Sequence, residues 1–164
     1  MKFKYCPLCG RELEEKYSWD EGGVPYCAHD DKMFFDTPKP CVVVGVIKDN
    51  KILLLKQSYI FKNSKVLISG YVGQNENVEE TVYREVLEEA GIEIKDIEYL
   101  GSDYVKDCDL LMLTFIAFYD KGEIKKSEEV EGIEWCDIDC ALAQMTEDLI
   151  GTKAVKKIMK LVKR

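Results

Sequence analysis

Three glutamates, Glu85, Glu88 and Glu89, crowd into a segment where Val78, Val82, Val86 and Ala90 recur every four residues. At about 100° per residue of helix, the three carboxylates fall within an arc of roughly 100° beside that apolar stripe. A solvated charged face usually lies farther from the core, and like charges three and four residues apart cost a helix stability. Convergent carboxylate oxygens suit a hard cation such as Mg2+ or Mn2+, which would offset the repulsion. Arg84 stands four residues after Glu80 and four before Glu88, so it can brace one of them. Taken on its own, the segment also reads as a surface helix rich in glutamate.

A second constellation lies near the start. "CPLCG" is a compact knuckle in which Pro7 and Gly10 shape a turn around Cys6 and Cys9, and "YCAHD" places Cys27 eighteen residues after Cys9. This pattern points to a structural Zn2+ held by Cys6, Cys9, Cys27 and a fourth ligand. Asp30 keeps the ribbon spacing, while His29, the sole histidine, is chemically the more usual ligand; spacing favours Asp30. The alternative is a ribbon without metal, folded by packing Trp19, Tyr26, Phe34 and Phe35. Cys41, Cys108, Cys136 and Cys140 lack a complete ligand set and read as buried or partly buried thiols.

The elements that must position these groups follow from pattern. "DTPKP", with Pro38 and Pro40, is an extended connector, giving a ribbon-like module over 1–37 and a larger domain over 38–164. "CVVVGVI" (41–47) and "KILLLKQ" (51–57) are β-branched apolar runs around "KDN", a hairpin signal. "KVLISG" (65–70) reads as a strand, and 78–90 as a helix that Gly91 stops. "LLMLTFIAFY" (110–119) is a long central strand candidate, "GIEW" (132–135) an edge or return, and about 141–163 a final helix. Val155, Ile158, Met159 and Val162 give that last helix one apolar face. Tyr59, Phe61 and Tyr71 flank the presumed cleft, where they could stack on a base or join the core.

Composition bounds the class. At 164 residues and 46% apolar content the chain is about one globular domain with a small appendage. It has no apolar run of about 18 residues and no apolar leader after "MKFKYCPLCG", so a cytoplasmic protein without membrane partners is expected. An odd cysteine count in a reducing compartment favours metal or thiols over disulfides. Net charge is −8, and because the last fourteen residues contribute +6 the rest carries −14. Such a body repels nucleic acid and free phosphates. A phosphorylated small molecule would therefore be handled through bound cations.

The full spacing narrows this further. Gly70, five residues, Glu76, seven residues, Arg84-Glu85-Val86, one residue, Glu88-Glu89, one residue, Gly91-Ile92 resembles a complete Nudix box. A given window meets its seven fixed identities by chance about once in 10^8. The resemblance implies an α/β/α sandwich with a mixed β-sheet and metal-dependent hydrolysis of a nucleoside diphosphate linked to another group X. It further implies that Glu85, Glu88 and Glu89 hold Mg2+ or Mn2+, that Arg84 orients Glu85, that Glu76 holds the box loop and that the Ser69 carbonyl is an extra ligand. A further carboxylate is expected from "KSEEVEGIEW", and Glu129, six residues before Trp135, is the choice for metal ligand or general base. A ribbon before such a domain is similar to the NADH pyrophosphatase branch, which implies a homodimer and a substrate such as NAD(H), ADP-ribose or another nucleotide derivative. That branch has a Ser-Gln-Pro-Trp-containing signature, whereas "GSDYVKDCDLLML" keeps only Ser102. The alternatives are a decapping or nucleotide-sanitising hydrolase and a regulator that binds nucleotides without turnover.

Overall fold

The structure, a computed structural model, describes residues 3–162. It divides into two units, one up to Pro38 and one from Lys39. In the first, β1 (Glu14–Ser18), β2 (Gly22–Cys27) and β3 (Lys32–Met33) form a three-stranded antiparallel sheet in sequence order. Among the described residues its buried apolar set is Cys6, Val24 and Cys27. Trp19, in the turn between β1 and β2, is 89% exposed, and Phe35 is exposed as well. The aromatic packing expected of a metal-free ribbon is therefore not formed; Phe34 meets Phe3 edge-on at 5.9 Å instead. A unit with so little apolar burial needs another source of stability.

The second unit is built on β4 (Lys39–Lys48), whose apolar run is buried on both faces. Cys41, Val43 and Ile47 face one core; Val42, Val44 and Val46 face the other. Continuous hydrophobicity in place of alternation is what burial on both sides requires. β4 runs parallel to β8 (Leu110–Lys121) and antiparallel to β5 (Lys51–Lys56) and β6 (Ile68–Tyr71). The order is β7-β8-β4-β5-β9, with β7 (Glu93–Val105) and β9 (Gly132–Asp137) at the edges and β6 on β4. One face is covered by α1 (Val78–Ala90) through Val82, Val86 and Ala90. The other is covered by α2 (Ile138–Gln144) and α3 (Leu149–Val162), through Ala141, Ala154, Val155 and Ile158. The result is the expected α/β/α sandwich with a mixed sheet.

Three expectations change. The final helix is two helices: Met145 turns inward, and Asp148 Oδ1 accepts the Gly151 amide at 2.7 Å to start α3 afresh. Residue 163 of the expected helix lies outside the described residues. The strand at 65–70 begins later, with Val66 making only a bridge to Leu55. The thirteen-residue β7 was absent from the sequence reading because register shifts at Lys95/Glu98 and Tyr99/Gly101 break the period-two alternation that marks a strand.

Candidate active site

The acidic cluster is assembled by α1 and β6. Asn77 caps α1 by accepting the Glu80 amide at 2.8 Å, and Glu80 returns the bond to the Asn77 amide at 2.9 Å. Glu80 is thereby committed to the cap and not to Arg84. Gly91 closes the helix at φ 69° with its N–H on the Leu87 carbonyl. β6 lies so near α1 that a Cβ on Gly70 would stand 1.9 Å from the Glu85 carboxyl carbon, so any other residue there would displace that carboxylate.

Arg84 organises the cluster. Its Nε and a terminal N–H donate to Glu76 at 2.7 and 3.0 Å, and its other arm reaches Glu85 at 2.7 Å and Glu88 at 2.9 Å. It also donates to the Tyr71 carbonyl at 3.1 Å, and Glu76 is held in turn by the Gly73 amide at 2.9 Å. The Arg84 guanidinium holds the Glu76 carboxyl down at about 2.

Glu85 and Glu89 are buried, at 9% and 7% exposure, while Glu88 is exposed. Burial raises the Glu85 carboxyl above its ordinary range. Burial first, then the charges of Glu85 and Glu129, push Glu89 up to about 7 against the opposing hydrogen bond from Gln57. Gln57 Nε2 donates to Glu89 Oε1 at 3.1 Å, and Glu89 Oε2 is buried with no hydrogen-bond partner among the described residues. An unpaired buried carboxylate oxygen next to a second buried carboxylate is costly for the protein alone. A divalent cation fits that donor set.

Glu85, Glu88, Glu89, Arg84, Ser69 and Glu129 all line one cavity of about 760 Å3. Among the carboxylates of the 128–131 segment only Glu129 does so. Glu131 is occupied by the Ser58 amide and hydroxyl at 3.0 and 2.7 Å, which ties its loop to the end of β5. The remaining wall is largely apolar, with Tyr59, Ile60, Phe61, Tyr71, Met112 and Ile150. Tyr59 and Tyr71 are exposed, so they belong to the cavity and not to the core. Gln57 and the cavity-lining Asp148 escaped the sequence reading. A lone amide at the end of "KILLLKQ" was the available signal for Gln57; Asp148 sat inside the span read as one helix.

The cysteine cluster lies in the first unit. One ligand atom each from Cys6, Cys9, Cys27 and Asp30 fall within 4.8 Å of one another. Asp30 Oδ2 is 3.1 Å from Cys6 Sγ and 3.2 Å from Cys27 Sγ, and Cys9 Sγ is 3.6 Å from Cys27 Sγ. The Leu8 and Asp30 amides each point at a thiol sulfur, at 3.4 Å. Three cysteine sulfurs and a carboxylate oxygen so gathered could hold a metal ion, and zinc accepts such donors. His29 Nδ1 instead sits 3.1 Å from Asp30 Oδ1, beside the carboxylate and outside the cluster. Without a cation, hydrogen bonding with Asp30 first of all pushes the Cys9 thiol up to about 12, so a metal held there would have to displace its proton. Of the other cysteines, Cys41 and Cys136 are buried; Cys108 and Cys140 are exposed, contrary to expectation.

Comparison with known proteins agrees with this geometry. The NUDIX domain family model matches residues 37–155. The NAD-capped RNA hydrolase NudC of Photorhabdus laumondii is 32% identical over 83% of this chain and 52% of its own length. That of Escherichia coli O1:K1 is 34% identical over 74% of this chain and 46% of its own. The chain thus spans about half the length of these curated relatives. The crystal structure of a NUDIX hydrolase from Nitrosomonas europaea superposes with a TM-score of 0.72 at 19% identity, covering 96% of this chain and 93% of that one, a likeness of fold. With the box residues gathered on one cavity and the family model matched over most of its length, the chain belongs to the NUDIX domain family.

Proposed function

We propose that this protein hydrolyses the diphosphate linkage of a nucleoside diphosphate joined to another group X, by attack of water. The observation that carries the reading is Glu89 Oε2, buried and, among the described residues, unpartnered, with Glu85 in the lining of the same largely apolar cavity. Glu85, Glu88, Glu89 and Glu129, with the backbone of Ser69, would hold Mg2+ or Mn2+. When bound, such cations neutralise charge on the phosphate oxygens and lower the pKa of the attacking water.

The chain's own groups set up the rest. Arg84 fixes the Glu85 and Glu88 carboxylates at 2.7 and 2.9 Å and is itself anchored on Glu76, so the cluster keeps its shape without substrate. Glu129 stands outside the Arg84 web, on a loop pinned through Glu131 and Ser58. Its carboxylate oxygens serve as a further ligand or take the proton from the attacking water. Tyr59, Phe61 and Tyr71 offer faces for an aromatic base or ring along the apolar wall. Cys6, Cys9, Cys27 and Asp30 hold a structural Zn2+, and the protein works as a cytoplasmic homodimer.

The ribbon before the box, similar to the NADH pyrophosphatase branch, favours NAD(H) or ADP-ribose as the substrate class, whereas the names of the NudC relatives print an NAD-capped RNA. Those names favour a second reading, removal of an NAD cap from RNA. The net charge of −8 weakens attraction to an RNA backbone and places the small dinucleotides first. A product-resolved screen tests both readings: NADH, NAD, ADP-ribose, nucleotide sugars, diadenosine polyphosphates, nucleoside triphosphates and NAD-capped RNA, each with Mg2+, Mn2+ or EDTA. Metal-dependent release of a nucleoside monophosphate from a dinucleotide supports the proposal. Turnover of capped RNA alone selects the second reading, and silence across the panel favours a nucleotide-binding regulator.

A further inference from the structure

Gln57 is a buried polar residue that the hydrolytic scheme leaves without a role. It directly follows the apolar run Ile52–Leu55 and Lys56 and is 1% exposed. An amide at such a place costs desolvation that a leucine would not, unless its hydrogen bonds serve a purpose. Its Nε2 donates to Glu89 Oε1 at 3.1 Å. Its backbone carbonyl accepts the amides of Ile60 at 2.9 Å and Phe61 at 3.2 Å, closing the turn that places Tyr59, Ile60 and Phe61 in the cavity wall.

The consequence is geometric. The terminal torsion of a glutamate is broad and roughly two-fold, so an unrestrained Glu89 carboxylate could present either oxygen in many orientations. An amide N–H can only donate, and its bond to Oε1 restrains the rotation, beside a further contact from the Ser69 backbone, leaving Oε2 without a hydrogen-bond partner among the described residues. We propose that Gln57 is a positioning residue: it aims Glu89 Oε2 at the divalent cation and ties that ligand to the turn forming the aromatic wall. This rests on the reading of the acidic cluster as a divalent-cation site. Partners that orient a metal ligand commonly change affinity by about 10- to 100-fold when removed.

The test is Mn2+ binding by electron paramagnetic resonance to wild type, Gln57→Met and Glu88→Gln, with thermal unfolding alongside. Gln57→Met keeps the length and volume of the side chain and removes the donor. The expected result is a Kd for Mn2+ raised about tenfold at an unchanged number of sites. An unchanged Kd in a folded Gln57→Met overturns the role of Gln57 while leaving the metal site standing. Failure of wild type to bind Mn2+ at any site lost in Glu88→Gln overturns both. Should Gln57→Met not fold, wild type alone decides: the Gln57 side-chain amide signals must shift on Mg2+ titration with the midpoint of metal binding, and stationary signals sink the proposal.

Discussion

At the residue scale, Glu89 concentrates the chemistry in one side chain. Burial pushes its carboxyl up to about 7, above its ordinary value of about 4.3 in an unfolded chain. The metal-free folded protein then binds the extra proton between those limits. Its stability falls as pH rises from about 4.3 through 7, because the unfolded state releases the proton first. A divalent cation takes the deprotonated carboxylate and removes that penalty. The melting temperature gained on adding Mg2+ is therefore expected to grow as pH is raised from 5.5 to 8. A Mg2+-induced gain independent of pH would contradict this role for Glu89. The three glutamates were legible in sequence because a helix converts their fixed spacing into a shared arc. Gln57 was not, because its partner is 32 residues away and only the fold brings them together.

At the element scale, α1 is the part that must form accurately, and its sequence specifies it redundantly. Asn77 and Glu80 satisfy two of its first amides, Gly91 supplies the left-handed stop, and Val82, Val86 and Ala90 bury the stripe. Replacing Asn77 with alanine leaves the Glu80 amide without its partner and is expected to cost about 1 kcal/mol, read as a lower midpoint in urea at constant slope. An unchanged midpoint would mean that packing alone holds the helix end. This helix was readable because its apolar period and its glycine stop agree. β7 was not readable, since its bulges disrupt alternation, and the break between α2 and α3 was hidden by an apolar periodicity that continues through it. In both cases tertiary contacts decide what local pattern leaves open.

At the scale of the whole molecule, the two proposed cation sites would answer two different physical needs. Among the described residues the unit up to Pro38 buries little apolar surface, and its tetrad is what can stabilise it; the unit from Lys39 has two full cores and, on the function proposed above, would use its acidic cluster for reaction. About one equivalent of zinc per chain is expected after exhaustive dialysis. Asp30→Ala should lose most of it, whereas His29→Ala, which removes only the neighbour of the ligand, should retain it. Metal analysis showing the reverse would make His29 the fourth ligand. The ribbon spacing pointed to Asp30 from sequence, and the clustered donor atoms agree with that choice. Which group X the apolar wall accepts was not legible, because Tyr59, Ile60, Tyr71, Met112 and Ile150 come from separate elements and their shared surface exists only after folding.

On the function proposed here, the box carboxylates hold cations that assist the attack of water on a diphosphate. The most direct test is AMP release from NADH, NAD and ADP-ribose as Mg2+ is titrated, with wild type beside Glu88→Gln. Glu88 is exposed and its loss removes one arm of the Arg84 web, so the variant should fold while its turnover drops by about a hundredfold or more, with residual activity needing higher Mg2+. A folded Glu88→Gln that turns over at the wild-type rate and at the same Mg2+ concentration would contradict the account.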